Sequence, residues 1–190
     1  MIEVASPARK LFVGIKVPLT LAHQLADFPR TRLIYDEGIR WSDPNDLHIT
    51  LKFIGSVTTT TATQLIGKLR TTYSPRLEAC ILGADIFQDA GVLVVDVHNS
   101  PELLLLQATV AEALGIDRRW QNDRVYRPHI TLAHWNATAT SQQSIHDLMR
   151  TQLDEYCSAL PVKSFPVREI VLYETVSGHY RIVEEFRLAG

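Results

Sequence analysis

Cysteine is scarce in this 190-residue chain. The two present, Cys80 and Cys157, fit neither a CxxC nor a zinc-ligand spacing. A disulfide framework is therefore excluded, and two reduced, buried thiols are expected. Long apolar runs are also missing. The one near the N-terminus, Leu11 to Ile15, stops at Lys16 and is too short for a signal-peptide core. Nothing else approaches the roughly 20 apolar residues that a membrane span needs, so a protein of the cytoplasm is expected. Excess charge of one sign is absent too: 19 Lys and Arg stand against 21 Asp and Glu, a formal charge of −2. That balance disfavours a protein that coats long nucleic acid, but it leaves room for a small anion site. Neither a Walker loop nor GxGxxG occurs, and the nine Pro and nine Gly never gather into a linker.

What is there is an ordinary globular composition, 46% hydrophobic and 21% charged. Apolar β-branched residues predict a strand over 10–17, and Pro18 opens a helical stretch. Period-two alternation predicts a strand over 46–54. Leu65, Ile66 and Leu69 predict a helix over 58–73, with the threonine run at its N-terminus. A strand pair is predicted at 78–87 and 92–97. Ser100-Pro101-Glu102 should start a helix that Gly115 stops. A strand over 127–135, a helix over 141–153 and a hairpin of 165–173 with 180–188, turning at Ser177-Gly178, complete the pattern.

One tetrapeptide occurs twice. His48-Ile49-Thr50-Leu51 and His129-Ile130-Thr131-Leu132 lie 81 residues apart (129 − 48), as internal duplication would leave them. On a strand, residues i and i+2 share a face, so His and Thr project together while Ile and Leu face the other way. Two such strands about a pseudo-twofold axis would bring both His and both Thr into one cleft. One imidazole could take a proton while the other gives one, because the ordinary imidazole pKa of about 6.5 keeps both forms available near neutrality. The Thr hydroxyls could donate to a phosphoryl oxygen. The residue types point to phosphodiester chemistry without a metal.

LHITLKFIG (47–55) and RPHITLAH (127–134) resemble the paired HxT motifs of the 2H phosphoesterases. The closest branch is the LigT/ThpR-like RNA 2′,3′-cyclic phosphodiesterases, historically called 2′-5′ RNA ligases. KLFVGIKVP, the IRW at 39–41 and the ending IVLYETVSGHYRIVEEFRL extend the resemblance over nearly the whole chain. It implies an α+β, bilobal pseudo-twofold fold, with two antiparallel sheets facing a central cleft and helices outside. Residues 1–190 would form a single domain of two interlocked lobes, each contributing one HxT motif. The resemblance also implies hydrolysis of RNA or oligonucleotide 2′,3′-cyclic phosphate ends to 2′-phosphomonoesters, by a monomer with no cofactor and no metal. By the same resemblance His129 is the general base, His48 the general acid, and Thr50 and Thr131 hold phosphate. The near symmetry of the motifs leaves the two histidine roles exchangeable. A phosphodiesterase for another small cyclic phosphate, a 2′-5′ RNA ligase and a non-catalytic RNA-end binding module are the alternatives.

One departure from the family stands out. Relatives often carry Arg five residues after the second motif histidine, where this chain has His134. Its charge would depend on pH, and an i+5 residue reaches the cleft only through a bulge or a strand end. Further candidates for substrate contact are Lys52, which shares the face of Thr50 if the strand is regular, Trp41 as a base-stacking ring, and Arg127 in the basic stretch 117–127. Phe53 is expected in the core. His23, His98, His146 and His179 are expected at the surface.

Overall fold

The computed structural model describes residues 8–31, 38–115, 126–135 and 143–189. Nine strands form one curled antiparallel sheet: β1 (Arg9–Lys16), β2 (Ile39–Trp41), β3 (His48–Val57), β4 (Leu77–Phe87), β5 (Val92–Val97), β6 (His129–Trp135), β7 (Ser164–Val167), β8 (Glu169–Val176) and β9 (His179–Arg187). Their order is β7-β4-β5-β6-β3-β1-β8-β9, with β2 added on β6. The helices are α1 (Leu19–Ala26), the short α2 (Phe28–Thr31), α3 (Thr59–Arg70), α4 (Pro101–Leu114) and α5 (Gln143–Ala159). The two sheets expected for two lobes are thus the halves of one sheet. They are joined where β3 meets β6 at a single residue pair, Ile49 and Ile130.

Local chemistry accounts for most element ends. The Thr58 hydroxyl caps α3 by accepting from the Thr61 N–H, and the Ser100 hydroxyl caps α4 by accepting from the Leu103 N–H. Gly115 ends α4 at φ +61°, a conformation that favours glycine. The β8–β9 turn has φ of +50° at Ser177 and +87° at Gly178, the two positive values a tight hairpin of this hand requires. Two elements differ from the sequence reading. The strand expected from 165 breaks into β7 and β8, and β2 carries too few residues to show a period.

One face of the sheet carries the core. Leu11, Val13, Ile15, Ile49, Leu51, Leu93, Val95, Ile130 and Leu132 pack there against Leu21, Leu25, Leu65, Leu69, Leu103, Leu106 and Leu153 of the helices. Each such side chain contributes about 1.5–3 kcal/mol by leaving water. Cys157 is buried in this core, as expected, whereas Cys80 is only half-buried. No described helix is long and apolar enough to cross a membrane.

On β8, Glu174 lies between Arg9 of β1, which donates from both Nε and Nη2 (3.1 and 2.9 Å), and Arg181 of β9. The two guanidinium groups hold its carboxyl down to about 2. An unfolded glutamate ionises near pH 4.3, so this contribution is complete above that pH and fades as pH falls through 2. Glu174→Gln should therefore cost about 2 kcal/mol at pH 7, the exposure of Arg181 moderating the gain. Thermal unfolding at pH 7 and pH 2.5 checks this: the melting difference should shrink at the lower pH.

Candidate active site

The pair that joins the halves also relates them. Ile49 and Ile130 are equivalent positions of the two HITL copies, and they face each other in antiparallel register, so a local twofold axis passes between them. Their neighbours then lie on the opposite face from the core. His48 stands across from Thr131, and Thr50 across from His129. The four residues singled out in the sequence share one face, each copy supplying the imidazole that meets the other copy's hydroxyl.

The flanking strands repeat the relation. β1 sets Lys16 opposite His48 and Gly14 opposite Thr50, while β5 sets Asp96 opposite His129 and Val94 opposite Thr131. Gly14 allows a close approach: a Cβ there would lie 2.9 Å from the Ile49 carbonyl oxygen and 3.4 Å from His48 Cδ2. In both copies a β-bulge follows at once. Leu51 is the extra residue between Thr50 and Lys52, and Leu132 the extra residue between Thr131 and Ala133.

That bulge reverses the alternation and moves the more distant candidates. Lys52 pairs with Val13 and turns to the core face, only 8% exposed, so it does not share the face of Thr50 as a regular strand would require. Phe53, expected in the core, pairs with Phe12 on the site face and is 69% exposed. The same phase change brings His134 to the site face, beside Val92 and Arg40. Trp41 flanks Arg40 and points the other way, packing edge-on against Phe28 with ring centres 6.0 Å apart. Its contact is with core rather than with a free stacking surface. His146, expected at the surface, is 4% exposed and stacks on Trp135 at 4.2 Å. His179 is exposed as expected and pairs with Asp46 at 3.0 Å. The stretch 117–125 lies outside the described residues. Arg127 closes that stretch, and its Nη2 reaches both Asp85 and Asp96 at 2.6 Å while its guanidinium lies 5.0 Å over the Phe87 ring. Two carboxylates already satisfy this cation.

Both histidines are oriented in one way. His48 Nδ1 lies 2.6 Å from the Asp46 carbonyl oxygen, and His129 Nδ1 lies 2.8 Å from the Arg127 carbonyl oxygen. A carbonyl only accepts, so Nδ1 carries the hydrogen in the neutral ring and Nε2 is left to exchange a proton. Among the described residues, neither threonine hydroxyl has a hydrogen-bond partner. Aromatic rings fix the imidazole planes: Phe12 and Tyr180 at 4.7 and 4.9 Å from His48, and Phe87 edge-on at 4.8 Å from His129. Asp46 secures this wall, because its carboxylate accepts from the Tyr180 N–H at 3.2 Å.

Burial is the main influence on each imidazole and pushes both below the ordinary value. The carbonyl bonds oppose it. Charge on His129 lowers His48 further, so the two rings sense one another, whereas Asp96 supports a proton on His129. Among the described residues, no three His, Cys, Asp or Glu side chains gather where they could hold a metal ion.

The sequence model of the 2′-5′ RNA ligase superfamily matches residues 21–179, spanning both HITL strands. The chain belongs to the 2′-5′ RNA ligase superfamily. No curated protein matches it significantly. Among solved structures, the fold is similar to that of Escherichia coli LigT complexed with phosphate, 20% identical with a TM-score of 0.71, the match covering 97% of this chain and 100% of that one. LigT complexed with 3′-AMP gives the same identity and coverage with a TM-score of 0.73. TT0787 of Thermus thermophilus is 22% identical, covering 95% of this chain and 98% of its own, with a TM-score of 0.69. The superfamily fold is thus that of a LigT-like 2H phosphoesterase, and an enzyme of phosphoesterase type is the activity this membership supports.

Proposed function

We propose that this protein hydrolyses the 2′,3′-cyclic phosphate at an RNA or oligonucleotide end to a 2′-phosphomonoester, without a metal, as a monomer in the cytoplasm. The observation that carries this reading is the crossed pairing about the twofold axis. Two imidazoles with identical Nδ1 anchors and two hydroxyls without a partner among the described residues share one face. A binding module alone would have no use for two poised proton-transfer groups. The LigT structures with phosphate and with 3′-AMP support a ligand of nucleotide size and phosphate charge in this fold.

In the proposed reaction, Nε2 of His129 accepts a proton from water, whose oxygen attacks phosphorus. The P–O3′ bond breaks, and protonated His48 gives its Nε2 proton to the departing O3′. Thr50 and Thr131 donate to the non-bridging oxygens, where charge accumulates in the transition state. The two imidazoles exchange protonation states over a turnover, and the local symmetry lets them trade roles in the reverse direction.

One proton must be shared between the two rings, so rate against pH should be bell-shaped. Both imidazoles are held below their ordinary value, so the maximum should lie on the acid side of about 6.5. A kcat profile from pH 4.5 to 8.5 checks this, and an optimum above pH 7.5 would contradict it.

The reading as a whole is tested by turnover of a 2′,3′-cyclic-phosphate-ended oligonucleotide in excess EDTA, beside a mononucleoside cyclic phosphate and a pair of RNA ends. EDTA-resistant hydrolysis of the oligonucleotide is expected. Preference for the mononucleotide would favour a small cyclic phosphate as substrate, and joining of ends would favour ligation. Binding without turnover would leave an RNA-end module.

A further inference from the structure

The site face poses a problem of charge. A phosphodiester brings a full negative charge, yet most cations near the two histidines are committed elsewhere. Arg127 is bound by Asp85 and Asp96, and Lys52 is turned to the core face. Lys16, opposite His48 at the last position of β1, also lines a hollow with Pro166, Arg168 and Glu169. His134 is partly buried, and burial together with the neighbouring Arg40 charge keeps its imidazole below the ordinary range, which disfavours its charged form.

Among the described residues, Arg40 is the exposed arginine left on this face. It is the middle residue of β2, a three-residue strand whose flanking side chains, Ile39 and Trp41, face the core. The Ser42 N–H adds a bond to the Leu132 carbonyl oxygen at 2.8 Å, fixing the strand to the bulge that follows Thr131. Arg40 therefore projects with His134 on the site face. It is exposed and makes no ion pair or side-chain hydrogen bond with any described residue. Its charge is felt by His134 in one half of the sheet and by the Tyr180 phenol in the other. The Tyr180 ring stands edge-on to His48. A guanidinium without an ion pair among the described residues thus stands on the site face beside His134, close enough for its charge to act on groups of both halves.

The geometry points to Arg40 as the residue that binds the substrate's phosphate, its N–H groups donating to the non-bridging oxygens that the two threonines leave accessible. This rests on the proposed phosphodiester chemistry, but it also predicts binding of phosphate alone. A planar fork of N–H donors suits that task better than a single imidazole N–H.

The test is titration of wild type, Arg40→Ala, Arg40→Lys and Arg76→Ala with inorganic phosphate by calorimetry, beside kcat and KM for the cyclic phosphate. Arg40→Ala should weaken phosphate binding about tenfold and raise KM by a similar factor while lowering kcat less. Arg40→Lys should recover part of the loss, and Arg76→Ala, at an exposed arginine just before β4, should match wild type. Equal melting temperatures would show that each variant folds. The assignment is overturned if Arg40→Ala binds phosphate within about twofold of wild type, if Arg76→Ala loses as much, or if wild type binds no phosphate. Loss of phosphate binding in Arg40→Ala by a protein that turns over no cyclic phosphate would overturn the hydrolytic reading and leave this site standing. Normal turnover with unchanged phosphate affinity in Arg40→Ala would do the reverse.

Discussion

Alanine at either His48 or His129 lowers kcat for the cyclic phosphate by about 10³-fold, and alanine at both costs little more than alanine at one. The expectation follows from the shared proton. With one ring removed, either the water keeps its proton during attack or the O3′ leaves as an unstabilised alkoxide, and the surviving ring cannot perform both transfers in one step. Both imidazoles contribute to the same transition state, so their losses do not multiply. Steady-state kinetics on the two single variants and the double variant check this. Losses that multiply would mean two independent sites, and turnover surviving in both single variants would remove the residue assignment. Folding should persist, because each ring stands on the face away from the helical core.

Valine at Thr50 or Thr131 lowers kcat by about 10²-fold, with a smaller effect on KM. Valine keeps the β-branched shape that suits a strand and removes only the hydroxyl donor. Each hydroxyl stands across the strand pair from the other copy's histidine, so each should strengthen its bond as negative charge gathers on the non-bridging oxygens. Single-turnover rates separate this from ground-state binding. An equal rise in KM with unchanged kcat would assign the threonines to binding alone.

The duplicated tetrapeptide made the centre of the candidate site legible from sequence, because a two-residue strand period places His and Thr on one face whatever surrounds them. The α3 and α4 caps and the Ser177-Gly178 turn were legible for the same reason: their causes lie within a few residues. The bulges were not. Inserting Leu51 and Leu132 into the pairing depends on β1 and β5, which are distant in sequence, and one slipped residue sent Lys52 to the core face and Phe53 and His134 to the site face. Arg127 is occupied by carboxylates 42 and 31 residues away, a separation that no local pattern reports. β2 is too short for periodicity, so Arg40 carried no signal beyond its place in IRW. His146 lies at core spacing with Met149, Leu153 and Cys157 on α5, and its polarity masked that position until the fold brought Trp135 to stack on it.

The central claim is that water activated at this histidine pair opens the cyclic phosphate on its 3′ side. Hydrolysis of a 2′,3′-cyclic-phosphate-ended oligonucleotide in ¹⁸O-labelled water, with the product analysed by mass spectrometry and ³¹P NMR, tests it most directly. A single 2′-phosphomonoester carrying one ¹⁸O on phosphorus is expected. A 3′-phosphate, or a 2′-phosphate without label, would contradict it.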